Sequence, residues 1–224
     1  MATSPPEPPA RIRRWYEYKL LVLLMILAGI GIIWVAVRVQ RTRQQQEAAE
    51  AITDFGGQVR YDYQPRQPVN PLLAPSPPGP APLRNLLGEN FFATLVDVNL
   101  TSSSVTDAGL GHLIQRLAQL QELNLFHTQI TDAGLEHLQG LTHLEYLCLW
   151  GTQVSDAGLE HLKGLTQLRT LLLNNTRVTD AGLEHLKGLT QLQTLDVRGT
   201  KVTDAGVKKL QQALPNCKID RSST

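Results

Sequence analysis

The sequence predicts an α/β solenoid in which parallel strands form a concave sheet and short helices line the convex side, preceded by one transmembrane helix. Three observations carry this expectation. The phrase Asp-Ala-Gly followed by Leu or Val recurs at Asp107, Asp132, Asp156, Asp180 and Asp204, at intervals of 25, 24, 24 and 24 residues. Within each interval the leucine spacing changes from two, as at Leu123 and Leu125, to three, as at Leu135, Leu138 and Leu141, which is a change from strand to helix periodicity. Far upstream, Leu20 to Val37 is a run of 18 residues without a charge.

That run comes first along the chain. At about 1.5 Å per helical residue it reaches roughly 27 Å, close to a hydrocarbon core of about 30 Å. Trp15, Tyr16 and Tyr18 lie at one end and Trp34 near the other, where interface-seeking rings belong. A cleavable signal has a shorter apolar region ending at a small-x-small site, whereas this run continues into Val37, Arg38 and Val39. The reading is a retained anchor over 20–37 behind an N-terminal tail over 1–19. Arg11, Arg13, Arg14 and Lys19 outnumber Arg38, Arg41 and Arg43 by one charge, which places the repeats outside the cytoplasm, for a bacterial protein across the inner membrane.

Residues 38–63 read as a helical stalk and a short strand. Gln, Glu, Ala and Arg favour continuation of the helix to about Thr53, Phe55-Gly56-Gly57 should end it, and Val59, Tyr61 and Tyr63 alternate with polar neighbours. Residues 64–82 hold eight prolines and form a tether. Residues 83–94, with Leu86, Leu87, Phe91 and Phe92, are expected to cap the N-terminal end of the stack, which would otherwise expose an apolar cross-section.

From residue 95 to 224 each unit reads as a strand, a turn and a short helix. No unit can bury both its strand and helix leucines alone, so stability comes from stacking. Six or more apolar side chains per unit, worth roughly 1.5 to 3 kcal/mol each when buried, offset the ordering entropy collectively. Thr131 or Asp132 can accept hydrogen bonds at the helix start. Gly134 and its equivalents suggest that the backbones of successive turns approach closely, and Gly140, Gly164 and Gly188 stand where helix-ending glycines do. The Thr128, Thr152, Thr176 and Thr200 hydroxyls can form a ladder that satisfies backbone groups leaving the sheet. Leu214-Pro-Asn-Cys-Lys-Ile219 is expected to close the C-terminal end as a truncated unit.

On the residues Leu120, Leu123, Leu125, Thr128, Ile130, Thr131, Asp132 and Leu135 the pattern resembles a leucine-rich repeat, over about residues 93 to 219. Its Thr-Asp-Ala-Gly-Leu helix starts are similar to the cysteine-containing repeats of F-box-type adaptors and to bacterial membrane-anchored and internalin-like repeat proteins. No F-box is recognisable and the repeats are few, so the partners of neither group carry over. The resemblance implies a binding scaffold rather than an enzyme.

Composition narrows the function further. The net formal charge is +1, residues 1 to 43 carry seven Lys or Arg against two Glu, and residues 90 to 224 carry eleven against thirteen acids. The basic part belongs to the anchor and the repeats are mildly acidic, which disfavours nucleic acid. Cys148 and Cys217 fall three strands apart, about 14 Å at a strand spacing near 4.8 Å, too far for a disulfide. His112, His137, His161 and His185 recur at one helix position, but side chains on neighbouring repeats start a strand spacing apart and cannot converge on one ion about 2 Å from each. No catalytic constellation, metal site or cofactor motif is read.

The site reading rests on the alternate strand positions that leave the interior. Asp97, Asn99 and Thr101 come first, then Glu122, Asn124 and Phe126, then Tyr146, Cys148 and Trp150. Thr170, Leu172 and Asn174, then Thr194, Asp196 and Arg198, follow. Phe126, Tyr146, Trp150 and Leu172 form an expected exposed patch, rimmed by Glu122, Asn124, Asn174, Asp196 and Arg198, with the composition of a protein-binding hot spot. The competing reading is packing within the sheet or beneath the tether. The expected function is membrane-anchored, non-catalytic binding of a protein ligand. A structural, self-associating envelope component and an F-box-like adaptor in a larger enzyme complex stand as alternatives.

Overall fold

In the computed structural model, the described backbone spans residues 10–65, 75–91 and 93–221; within the first helix, side chains are described at Met25 and from Gly29 onward. The chain divides into two compact units, residues 1–42 and 43–224. In the first, α1 (Ala10–Asp54) begins; it ends in the second, immediately before the Phe55-Gly56-Gly57 stop. Among the described residues, no helix is long and apolar enough to cross a membrane. Of Leu20 to Val37, residues 20–24 and 26–28 lie outside the described side chains, while Met25, Ile30, Ile32, Ile33, Trp34, Val35 and Val37 are exposed.

The second unit is one sheet flanked by short helices. Its strands are β1 (Gln58–Tyr61), β2 (Leu95–Asn99), β3 (Glu122–Asn124), β4 (Tyr146–Cys148), β5 (Thr170–Leu172), β6 (Thr194–Asp196) and β7 (Lys218–Asp220), adjacent in sequence order. β1 is antiparallel to β2, and every later pair is parallel with one constant register, Leu123 beside Leu147 beside Leu171 beside Leu195. Each repeat therefore advances by one strand spacing without slipping, which keeps every leucine facing the same interior. Leu123, Leu125, Leu147, Leu149, Leu171, Leu173 and Leu195 are fully buried.

Between the strands lie α2 (Ala81–Leu87), α3 (Asp107–Ile114), α4 (Asp132–Glu136), α5 (Asp156–Leu159), α6 (Asp180–Leu183) and α7 (Asp204–Ala213). The three central helices tighten into 3-10 turns at His137–Gly140, Glu160–Leu162 and Glu184–Leu186. Side-by-side α-helices need about 8 to 10 Å, twice the strand spacing, so short and tightly wound segments are what fit between two neighbours. At the two ends of the repeat series, α3 and α7 have one neighbouring repeat helix each and wind on to 8 and 10 residues without a 3-10 turn.

The aspartate of each helix start joins successive repeats. Thr131 donates its backbone N–H (2.9 Å) and its hydroxyl (2.6 Å) to the two carboxylate oxygens of Asp107. Ser155 does the same to Asp132, Thr179 to Asp156 and Thr203 to Asp180. Thr131 and Thr179 also accept from their own helices, at Ala133 and Ala181. The hydroxyl is thus the cap expected of it, and the carboxylate bonds to the following repeat.

This arrangement corrects two expectations. The glycine after each aspartate does not mark approaching backbones: a Cβ on Gly134, Gly158 or Gly182 would stand 2.4 Å from Oδ1 of Asp107, Asp132 or Asp156, so the absent side chain makes room for a carboxylate. Gly140, Gly164 and Gly188 are not left-handed helix ends. Among the described residues of the repeats, the positive-φ positions are instead Ser102, His127, Gly151, Asn175 and Gly199, one per repeat just after the strand; Gly, Asn and His are the residue types that enter that region most readily. As expected, the Thr128, Thr152, Thr176 and Thr200 hydroxyls satisfy backbone groups leaving the sheet, each donating within its own repeat to the carbonyl of Leu125, Leu149, Leu173 or Val197.

The N-terminal end of the stack also differs from expectation. α2 buries no residue, Leu86 is 77% exposed, and among the described residues of 83–94 Phe91 and Ala93 are the buried ones. Cover comes from the end of α1, where Ala48 and Ile52 are buried, with Ala51, Phe55 and Val59 packed against the same core, and from β1 as an added strand. Glu47 pairs with Arg116 at 2.8 Å across this junction. Leucines on a seven-residue helix have little to bury against, whereas a long helix ending against the first repeat offers a whole face. At the other end, Leu214 and Cys217 are buried and Ile219 half-buried, and β7 completes the sheet as the truncated unit was expected to do.

Candidate functional site

The constant register sets the outward side chains of the strands in lateral rows. Asp97, Glu122, Tyr146, Thr170, Thr194 and Lys218 form one row, and Asn99, Asn124, Cys148, Leu172, Asp196 and Asp220 the next. Backbone bonds from Ser102 to Phe126, His127 to Trp150, Gly151 to Asn174 and Asn175 to Arg198 extend the ladder to a third row, Thr101, Phe126, Trp150, Asn174 and Arg198.

Two of the aromatic residues, Phe126 and Trp150, meet across neighbouring repeats. Phe126 stands edge-on to Trp150 with ring centroids 5.2 Å apart, and edge-on to His127 at 4.4 Å. Phe126, Tyr146, Trp150 and Leu172 are all half-buried, so each ring keeps an open side while its neighbours fix its orientation. Burial, then the neighbouring Cys148, push the Tyr146 hydroxyl up to about 12. Burial likewise raises the Cys148 thiol. Both groups therefore stay neutral through the physiological range, and the centre of the face carries no charge.

Charge sits at its two flanks and is paired there. Arg60, reaching over from β1, donates from Nε to Asp97 at 3.0 Å and from Nη2 to Glu122 at 3.1 Å. The same arginine lines an open cleft of about 430 Å³ with Gln58, Val59, Gln64, Pro65, Asp97 and Asn99. On the opposite flank Arg198 lies over Asp196, with Nε 2.9 and 3.0 Å from its two oxygens. Burial alone would raise the Asp196 carboxyl, but hydrogen bonds from Arg198 and Asn174 together with the Arg198 charge hold it below the usual range.

Two rim residues are not the exposed groups expected. Asn174 is 3% exposed and Asp196 5%; the Asp196 carboxylate is held under the Arg198 guanidinium and hydrogen-bonded by Asn174. Glu122 and Asn124 are half-buried and Arg198 is exposed. A further feature had no sequence signal: the indole nitrogen of Trp150 and the amide oxygen of Asn174, on adjacent strands, are buried without hydrogen-bond partners. Leaving such a group unpaired costs about 1–3 kcal/mol. Arg60 could have been found, since the alternation of Val59 and Tyr61 puts it on the opposite side of its strand.

The histidine column is spread along the helices. His112 and His137 are exposed, and His161 is held at Nδ1 by the Gln139 side chain at 2.7 Å. Among the described residues, no group of three or more His, Cys, Asp or Glu side chains could hold a metal ion. Cys148 and Cys217 are buried free thiols.

The carboxylates make stability sensitive to acid. Side-chain and backbone hydrogen bonds from Thr203 lower the Asp180 carboxyl from its ordinary 3.8, and Asp196 is lowered as described. A depressed folded value contributes stability that is complete above the unfolded value and lost as pH falls through the folded one. We predict a urea midpoint that is flat near neutrality and falls between about pH 4 and pH 2, with a shallower fall in Asp180→Asn. Equal acid sensitivity in that variant would remove the ladder carboxylate as its source.

Comparison with known proteins agrees with this geometry. Residues 118–164 match the family model for two copies of leucine-rich repeats, and residues 188–210 match a single leucine-rich repeat. Over those two stretches the chain is similar to leucine-rich repeats, and neither matching description names a cysteine-containing or F-box-type class. No curated protein matches. Among solved structures, an internalin of Listeria monocytogenes is similar at 28% identity with a TM-score of 0.50, over 58% of this chain and 35% of its own. A leucine-rich-repeat protein of Leptospira interrogans is similar at 20% identity and a TM-score of 0.41, over 56% and 37%. The chain thus spans about a third of the length of these structures.

Proposed function

We propose that this leucine-rich-repeat protein is a membrane-anchored, non-catalytic scaffold that binds another protein across its open strand face. Leu20 to Val37 is the anchor, and the basic excess before it puts the repeats outside the cytoplasm of a bacterial inner membrane. Phe126, Tyr146 and Trp150 are the anchors of the contact, with Leu172 extending it and Glu122, Asn124, Asn174, Asp196 and Arg198 around it.

One observation carries this reading: three rings lie half-open on adjacent strands, in a neutral centre between paired charges. Rigid aromatic side chains in a partly dehydrated patch lose little entropy on binding and gain much apolar contact. The unpaired Trp150 indole N–H and Asn174 oxygen add a donor and an acceptor that a partner amide could satisfy after a small rotation of the indole. For the anchor, the support is the uncharged run itself and the exposure of its described apolar residues from Met25 to Val37.

The expected result for Trp150→Ala with Tyr146→Ala is loss of roughly 30-fold or more in affinity for whatever partner the full chain captures. The circular dichroism spectrum should be unchanged, because neither ring fills the interior. Unaltered capture by a folded double variant would refute the assigned face. Protease digestion of intact cells or spheroplasts tests the topology separately, with cleavage of the repeats from outside as the expected outcome.

A further inference from the structure

The two edges of the sheet are unlike. At the β1 edge an antiparallel strand and the end of α1 close the stack. At the β7 edge, no strand lies beyond among the described residues. Residues of a parallel strand turn their backbone groups to alternate sides. Lys218 donates its N–H to Gln193 at 2.8 Å and Asp220 accepts from Val197 at 2.9 Å, so residues 218 and 220 face β6. The N–H and carbonyl of Ile219 consequently face outward.

The device that would receive another repeat is already used. Asp204, the last aspartate of the ladder, meets the Arg221 guanidinium where its equivalents meet a threonine or serine, and Arg221 also donates to the Val202 carbonyl at 3.3 Å. The helix side of the stack is therefore ended while the strand side is left open.

We propose that a second copy of this chain occupies the β7 edge, the two β7 strands running antiparallel about a two-fold axis at Ile219. The two Ile219 residues then exchange both of their backbone hydrogen bonds. In that register Lys218 of each copy stands opposite Asp220 of the other, in the close pairs that flank a hydrogen-bonded one. Within one copy Lys218 and Asp220 lie 3.2 Å apart on the same side of the strand, exposed and self-complementary under a two-fold rotation. The contact is isologous, each copy spending the same β7 edge on the other, so the association stops at two. Three residues per strand make a small interface, and such contacts are weak. Confinement of both copies to one bilayer would raise their effective concentration.

The experiment is sedimentation of the full chain in detergent micelles. Wild-type protein should pass from monomer to dimer between about 10 and 300 μM, in the range of small transient interfaces. Lys218→Asp alone and Asp220→Lys alone each put like charges opposite each other and should weaken association at least about ten-fold. An equimolar mixture of those two variants puts unlike charges opposite each other at both positions and should associate again about as well as wild type. The Ile219 amide of the wild-type chain should also exchange with solvent more slowly as concentration rises, a readout that needs no variant. A wild-type chain monomeric throughout, single variants that associate like wild type, a mixture no better than its components, or concentration-independent exchange at Ile219 overturns the proposal.

Discussion

Gly158→Ala is expected to cost this fold about 2–4 kcal/mol, more than most exposed helix substitutions and opposite in sign to what helix propensity predicts. Alanine is favoured over glycine in a helix by about 1 kcal/mol. Here its Cβ would stand 2.4 Å from Oδ1 of Asp132 and 3.1 Å from Cδ1 of Leu135. The carboxylate has no free direction of retreat, because Oδ1 accepts from the Ser155 N–H at 2.7 Å and Oδ2 from its hydroxyl at 2.5 Å. Displacing it forfeits charge-assisted hydrogen bonds worth about 1.5–3 kcal/mol on top of an overpacking strain of about 1–3 kcal/mol.

The control is built into the same repeat. Gly164 has no atom nearer than 3.8 Å to a hypothetical Cβ and Gly188 has none within 4 Å. Gly164→Ala and Gly188→Ala should therefore be neutral, or stabilising by about 0.4–1 kcal/mol through the unfolded chain. Urea midpoints of the four variants at Gly158, Gly182, Gly164 and Gly188 check the prediction. Similar midpoints for all four would show that the aspartate can be displaced without loss, and that the ladder contributes little.

These glycines show where the sequence is readable and where it is not. The strand face is legible because the inward positions take leucine, valine or isoleucine, so the alternate residues, Phe126, Tyr146 and Trp150 among them, face out. The partner of Asp132 is not legible. In a chain of near-identical units, a contact within a repeat and a contact to the next one join the same residue types at the same phase, and Thr131 and Ser155 are equally good candidates. Only coordinates separate them. Burial at the rim is hidden for a different reason: whether Asp196 stands off the sheet or lies beneath Arg198 is a rotamer choice that alternation does not encode.

The N-terminal cap is obscured by composition. Residues 83–94 look like a cap because they are apolar, while residues 43–54 look like a solvated stalk because they are rich in Gln and Glu. Yet Ala48, Ile52 and Phe55 recur at spacings of four and three, which is one face of a helix, and Ile52 has no exposed surface at all. Ile52→Ala should destabilise the repeats by about 2–4 kcal/mol, the usual range for truncating a fully buried isoleucine. Leu86→Ala, at a side chain 77% exposed, should fall within about 0.5 kcal/mol of wild type. Stability in a stack passes between neighbours, so the loss at Ile52 should appear first in the repeat it covers. Hydrogen exchange ought to quicken at Val98 and Leu100 before it does at Leu171 and Leu173. The reverse ranking of the two variants would return the capping role to residues 83–94 and leave the end of α1 as a stalk.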